Sequence, residues 1–179
     1  MTWRRIHLCT GLLERDGRIL VVANRYPNLP DLLWGLPGGR QEPLETADRT
    51  VEREFAEETG LAVKVLDLVY VAESFDAATE TQFTAFCFRV AGDGEPVLPA
   101  DDLHVRAVRW VTREELDALL KLRVVREPLF GYFADPRPRY YGFAESGITI
   151  AFADAPPAPS AATPPDGGDT APHRRAGPE

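Results

Sequence analysis

Near the N-terminus apolar positions cluster in two short runs, Ile6 to Leu13 and Arg18 to Ala23, rich in Ile, Leu and Val. Glu14-Arg15-Asp16-Gly17 separates them, and an Asp-Gly pair between two such runs predicts a hairpin with a tight turn. Pro27 and Pro30 mark Tyr26 to Asp31 as a loop, and the brief apolar stretch Leu32 to Leu36 stops at Pro37-Gly38-Gly39. From about Glu45 to Thr59 the chain is rich in Glu, Ala and Arg, has no Gly or Pro, and meets Gly60 as a left-handed cap, which predicts a helix. Strands are expected at Leu61 to Tyr70 and Gln82 to Val90, around a polar loop with Asp76, Thr79 and Glu80. Gly92 to Pro96 reads as a turn and Val105 to Val111 as a strand. Thr112-Arg113-Glu114-Glu115 offers a capping box for a helix through about Leu120. A helical or loop segment near Val124 to Ala134 and a strand at Gly147 to Phe152 complete the series. Strands on both sides of a central helix, followed by a second helix, predict an α/β layered domain with a mixed sheet.

Composition sharpens this picture at the C-terminus. From about Asp154 the chain is dominated by Pro, Ala, Gly, Asp and Thr and has little to bury, so the expected division is one domain at 1–153 and a disordered tail at 154–179. The net charge of −8 lacks the basic footprint of a protein that grips long nucleic acid, yet a small polyphosphate remains within reach of metal ions and a few arginines. Cys9 and Cys87 form no disulfide framework and no metal-binding spacing; they read as small buried hydrophobes in a reducing compartment. With no long apolar run and no signal-peptide pattern after Met1-Thr2-Trp3-Arg4-Arg5, no membrane association is expected and the cytoplasm is the expected location.

The central helix carries the chemistry. Projected at about 100° per residue with Glu54 at zero, Ala47, Val51 and Phe55 form one apolar stripe, and Glu58 falls inside it at about 40°. Glu57 lies on the flank, while Asp48, Arg49, Glu52 and Arg53 take the opposite side. A solvated acidic face would keep its carboxylates away from the stripe. Partly buried carboxylates spaced i and i+4 repel each other and are costly unless a cation pairs with them. A divalent ion such as Mg²⁺, which takes oxygen ligands and keeps waters and substrate phosphates, is a fitting partner; an acidic helix with no ligand is the alternative.

From Gly39 to Leu61 the chain has Gly, five residues, Glu45, seven residues, then Arg53-Glu54-Phe55-Ala56-Glu57-Glu58-Thr59-Gly60-Leu61. This resembles the Nudix box of the MutT-like hydrolases at every defining position. The resemblance extends to the opening hairpin, to Trp34-Gly35-Leu36-Pro37-Gly38-Gly39 and to Val108-Arg109-Trp110-Val111, covering about Thr10 to Leu120. It implies a Nudix-type α/β/α sandwich with a mixed sheet and a loop–helix–loop. It further implies Mg²⁺, with Mn²⁺ as a substitute, held by Glu54 and Glu58, with Glu57 as a further ligand or a base behind them and Gly39 giving its carbonyl. Glu45 and Arg53 would pair to brace the loop–helix–loop. The implied reaction is attack of water on a phosphorus of a small nucleotide-like diphosphate.

Arg25 and Arg40, which flank the box, are candidate phosphate contacts. For the general base His104 is the candidate, with Glu80, Asp101, Asp102 and Glu57 as alternatives. Trp34, Phe75 and Tyr26 are candidate stacking partners for a base. Signatures of NADH, coenzyme A, ADP-ribose and diadenosine polyphosphate subfamilies are missing at their places outside the box, leaving NTPs, dNTPs and nucleotide-sugar-like diphosphates. Resemblance also admits a homodimer, and a catalytically silent sensor or interaction module as the competing reading. An isoprenoid diphosphate isomerase needs a cysteine and histidine cluster that this chain lacks.

Overall fold

The computed structural model describes residues 3–98, 100, 104–147 and 149–150. Its elements in order are β1 (Arg4–Leu12), β2 (Glu14–Arg15), β3 (Arg18–Asn24), β4 (Leu33–Gly35), β5 (Gly38–Arg40), α1 (Ala47–Thr59), β6 (Val63–Asp76), β7 (Thr81–Gly92), β8 (Val105–Val111), α2 (Arg113–Leu119), α3 (Arg123–Ala134) and β9 (Arg139–Gly142). A mixed sheet runs in the order β5-β1-β7-β6-β9, with β1 parallel to β7 and β6 parallel to β9. A second, antiparallel sheet joins β2, β3 and β4, with β8 on the other edge of β3.

The opening hairpin is where the sequence reading needs correction. Asp16 and Gly17 do form its tight turn, both at positive φ, but the strand opposite β3 is only the two-residue β2. The longer run before it, β1, belongs to the other sheet, between β5 and β7. The chain changes sheet around Leu13, so one apolar run serves two layers. Strand β4 falls in what the sequence showed only as a brief apolar stretch, and β5 and β9 were unforeseen. Of the strand expected at Gly147 to Phe152, Gly147, Thr149 and Ile150 are not extended in a sheet, and the rest lie outside the described residues, as does the tail from 154.

Alternation along β3 shows how the layers are glued. Ile19 and Val21 point into a core with Leu12, Tyr70, Cys87, Leu116 and Leu129, while Leu20, one step out of phase, joins Cys9, Val51, Phe55, Leu61 and Val90 on the other side. Helix α1 closes the second core against β1, β5 and β6; α2 and α3 close the first against β3 and β6. Helices on both faces of the strands make the expected α/β sandwich with a mixed sheet. The Thr112–Glu115 capping box is present with both of its reciprocal bonds, and Gly60 caps α1 in the left-handed conformation. Both cysteines are free and buried, and burial pushes their thiols up, Cys9 to about 11 and Cys87 to about 12. Among the described residues no helix is long and apolar enough to cross a membrane.

Candidate active site

The pairing of β5 with β1 sets the site. Gly38 and Gly39 lie opposite Thr10 and Cys9, which brings this turn beneath the C-terminal half of α1. Glu58, the acid inside the apolar stripe, is only 5% exposed, and its carboxylate accepts a hydrogen bond from the Gly38 amide at 2.8 Å. One turn earlier, Glu54 rests directly on Gly39: a Cβ added there would stand 2.3 Å from its Oε1. The glycine is what lets the carboxylate lie against the loop. Burial raises the Glu54 carboxyl above its ordinary value, with Arg53 pulling the other way.

Arg53 ties the constellation together. Its Nε and Nη2 donate to the two oxygens of Glu45 at 3.0 Å each, Nη1 donates to Glu54 at 2.9 Å and to Glu57 at 3.0 Å, and Nη2 also reaches the Arg40 carbonyl. One fork thus spans the loop and three acids of the helix segment, a geometry only a planar guanidinium supplies. Glu45 in turn accepts from Thr50 Oγ1 at 2.8 Å and from the Glu42 amide. These bonds, led by that of Arg53, hold the Glu45 carboxyl down at about 2. The helical projection had set Arg53 on the solvated side; the Glu45–Arg53 brace draws it across, leaving its side chain 24% exposed.

The Gly38-Gly39 turn, Arg53, Glu54 and Glu58 border a cleft of about 960 Å³. Gly39, Arg40, Glu54, Glu58 and His104 all line it. Tyr26 stacks edge-on against His104 with ring centroids 4.9 Å apart, and burial together with the nearby Glu58 pushes its hydroxyl up to about 12. Trp34 lines the cleft as well, its ring covered by Arg109. Asn24, 8% exposed, also borders it, and its Oδ1 is buried without a hydrogen-bond partner.

Other candidates fall elsewhere. Arg25 is not among the lining residues; its guanidinium donates to the Pro30 carbonyl at 3.0 Å. Glu57 is likewise outside the lining, its side chain 56% exposed and drawn to Arg53. Phe75 packs edge-on against Trp3 in a separate hollow, and Glu80 occupies the β6–β7 turn, where its carbonyl accepts from the Arg4 amide. Asp101 and Asp102 lie outside the described residues. Unforeseen cleft residues are Arg4, Arg5, His7, Asn24 and Glu42. The first three lie on β1 just before its pairing with β5, and the sequence carried no signal for that pairing.

The donors at the Gly38-Gly39 turn are all oxygen: two carboxylates and backbone carbonyls. Among the described residues no three His, Cys, Asp or Glu side chains converge closely enough to hold an ion by themselves. The donor set nevertheless suits Mg²⁺, which needs only one or two carboxylates and fills its octahedron with waters and substrate phosphates.

The NUDIX domain matches residues 3–133. A putative mutator protein MutT4 of Mycobacterium tuberculosis is 35% identical over 112 residues, covering 59% of this chain and 43% of the relative. An ADP-ribose pyrophosphatase of Methanocaldococcus jannaschii is 35% identical over 92 residues, covering 51% of this chain and 54% of that one. The chain therefore spans about half the length of these two relatives. The crystal structure of a MutT NUDIX hydrolase from Burkholderia pseudomallei superposes with a TM-score of 0.61 at 32% identity, over 71% of this chain and 97% of that one.

Proposed function

The chain belongs to the NUDIX domain family, and from that premise we infer that it hydrolyses a phosphoanhydride bond in a nucleoside diphosphate linked to another moiety. An NTP, a dNTP or a nucleotide-sugar-like diphosphate is the substrate class. The observation that carries this reading is the convergence of Glu54 and Glu58 on the Gly38-Gly39 turn that borders the cleft.

When bound between Gly39, Glu54 and Glu58, Mg²⁺, or Mn²⁺ in its place, supplies acidification of a water and neutralisation of phosphate charge. The chain's own residues do the rest. Arg53, braced by Glu45, keeps the Glu54 carboxylate in position, and the Gly38 amide holds that of Glu58; Arg40 faces the phosphates from β5. His104, set against Tyr26, takes the proton as the water oxygen bonds to phosphorus. The bridging P–O bond breaks and its electron pair stays on the departing phosphate, so one water yields two phosphate products. The net charge of −8 favours a small substrate over long nucleic acid, and the cytoplasm is the matching compartment.

The test is a substrate panel with Mg²⁺: NTPs, dNTPs, ADP-ribose, nucleotide sugars and dinucleoside polyphosphates, with released phosphates quantified. Turnover of one class identifies the substrate. No turnover across the panel by protein that binds nucleotide and metal supports a silent sensor and contradicts the hydrolase reading.

A further inference from the structure

Most arginines of the described chain are spoken for. Arg49 pairs with Glu52, Arg53 with the box acids, Arg89 with Asp67, Arg113 with Glu14, Arg123 with Glu127, Arg126 with Asp117, and Arg137 and Arg139 with Asp135. Arg4 and Arg5 are adjacent, they line the cleft, and no carboxylate among the described residues pairs with either guanidinium. Arg18 and Arg106 have no carboxylate partner among the described residues either, but they lie outside the cleft, and it is there that Arg4 and Arg5 differ. Two neighbouring cations left unpaired in a chain of net charge −8 are poorly explained by stability of the fold.

Their position gives them a use. Leu8 faces Arg40 across the β1–β5 ladder, and Arg4 lies on the same face of β1 as Leu8, four residues further from the box. At ~3.3 Å per residue that is ~13 Å along the strand from Arg40. That backbone separation sets Arg4 towards the part of a bound molecule that extends beyond the phosphates at Arg40. Arg5 projects to the opposite face of β1, where His7 is held by a 3.0 Å bond to Gln41 Oε1. The start of β1 is thus a lip with a guanidinium on each side, at a distance from the acids that gather at the Gly38-Gly39 turn.

We propose that Arg4 and Arg5 form a distal anion subsite, which takes a second negatively charged oxygen group, a phosphomonoester or a carboxylate, on the part of the substrate remote from the scissile anhydride. The proposal rests on reading the cleft as a diphosphate site and narrows its substrate class: a nucleoside diphosphate derivative with a further anionic group away from the anhydride. Guanidinium groups bind such groups bidentately, and the exposed position of Arg5 makes the contribution sensitive to salt.

The test uses matched ligands that differ in one distal charge: NADPH against NADH and coenzyme A against dephospho-coenzyme A for a phosphate, UDP-glucuronate against UDP-glucose for a carboxylate. Affinities are measured by calorimetry on the full chain with divalent metal chelated, so the readout does not depend on turnover. The expected result is roughly tenfold tighter binding of the anionic member of at least one pair, falling to near parity in the Arg4→Gln/Arg5→Gln double variant and in 0.5 M salt, about five times more concentrated than the 0.1 M at which screening already acts over ~10 Å. The double variant should melt with the wild type, because neither side chain has a partner to lose. Equal affinities within every pair, no measurable binding of any ligand, or discrimination that survives the double variant would overturn the subsite. Hydrolysis with Mg²⁺ is assayed on the same ligands and on the nucleotide panel: turnover without charge discrimination defeats the subsite alone, whereas discrimination with no turnover of any of them defeats the hydrolase reading alone.

Discussion

Replacing Gly39 by Ala adds a single methyl group where the Glu54 carboxylate lies. The new Cβ would stand 2.3 Å from Oε1, 2.5 Å from Cδ and 2.7 Å from Oε2, against 3.4 Å or more for an ordinary contact. Glu54 must therefore retreat by about 1 Å. It can do so, being the end of a flexible side chain, but only by leaving its bond to Arg53 Nη1 and its place in the cleft. A misplacement of about 1 Å in a reacting constellation costs roughly a hundredfold in rate. The fold should survive, since nothing about the Gly39 backbone forbids alanine, and the stability change should stay below about 1 kcal/mol. Gly38→Ala is the contrasting control. Its φ is +147°, and its added Cβ would meet backbone, Cys9 O at 2.2 Å and Thr10 Cα at 2.6 Å, which cannot turn aside. That change should cost about 3 kcal/mol and loosen the β1–β5 pairing. The assay is kcat/KM on the best panel substrate beside thermal melting of both variants. Gly39→Ala with wild-type kcat/KM and a wild-type melt would refute the placement of Glu54 against the loop during turnover.

Three further outcomes follow from the same geometry. The Glu45 carboxyl is held at about 2 in the folded chain against an ordinary 4.5, so its stabilisation is complete above about pH 4.5 and is lost as pH falls towards 2; Glu45→Gln should flatten that acid loss by about 1–2 kcal/mol in denaturant titrations at stepped pH. Phe55→Ala removes a fully buried ring that holds α1 onto β1 and should cost about 3–5 kcal/mol by chemical denaturation. Leu44 is fully exposed at φ +66°, so Leu44→Asn loses no burial and relieves a strained backbone; its melting temperature should be equal to the wild type or higher, by up to about 1 kcal/mol of stability.

How far the sequence spoke depended on which interactions were local. Helix α1, its Gly60 cap and the Thr112–Glu115 box are set by neighbours within a few residues, and they lie where the pattern put them. Glu58 stood out because it broke the pattern, an acid in the buried stripe, and the structure buries it. The Glu45–Arg53 brace was also anticipated, through the family resemblance. Pairing was not legible. Period-two apolarity says that β1 is a strand but not that its neighbours are β5 and β7, so the first hairpin acquired the wrong long partner and Arg4 and Arg5 were missed at the cleft. Strand β5 is Gly38-Gly39-Arg40, with no apolar residue to announce it, and β9 is a four-residue edge strand whose exposed side chains carry no alternation. Arg25 was chosen for nearness in sequence; Asn24 and Tyr26 on either side of it line the cleft, while its own guanidinium turns to the Pro30 carbonyl.

The central claim is that the acids at the Gly38-Gly39 turn act through a divalent ion to break a phosphoanhydride. Glu58 tests it most directly, because replacement by Gln keeps the shape, keeps an oxygen for the Gly38 amide and removes only the charge. Steady-state kinetics of wild type and Glu58→Gln should be compared across a Mg²⁺ titration. The account expects a loss of at least about a hundredfold in kcat with a wild-type melting curve, and wild-type activity abolished by chelation. Turnover that is equal in the two proteins, or that is indifferent to chelation, would contradict it.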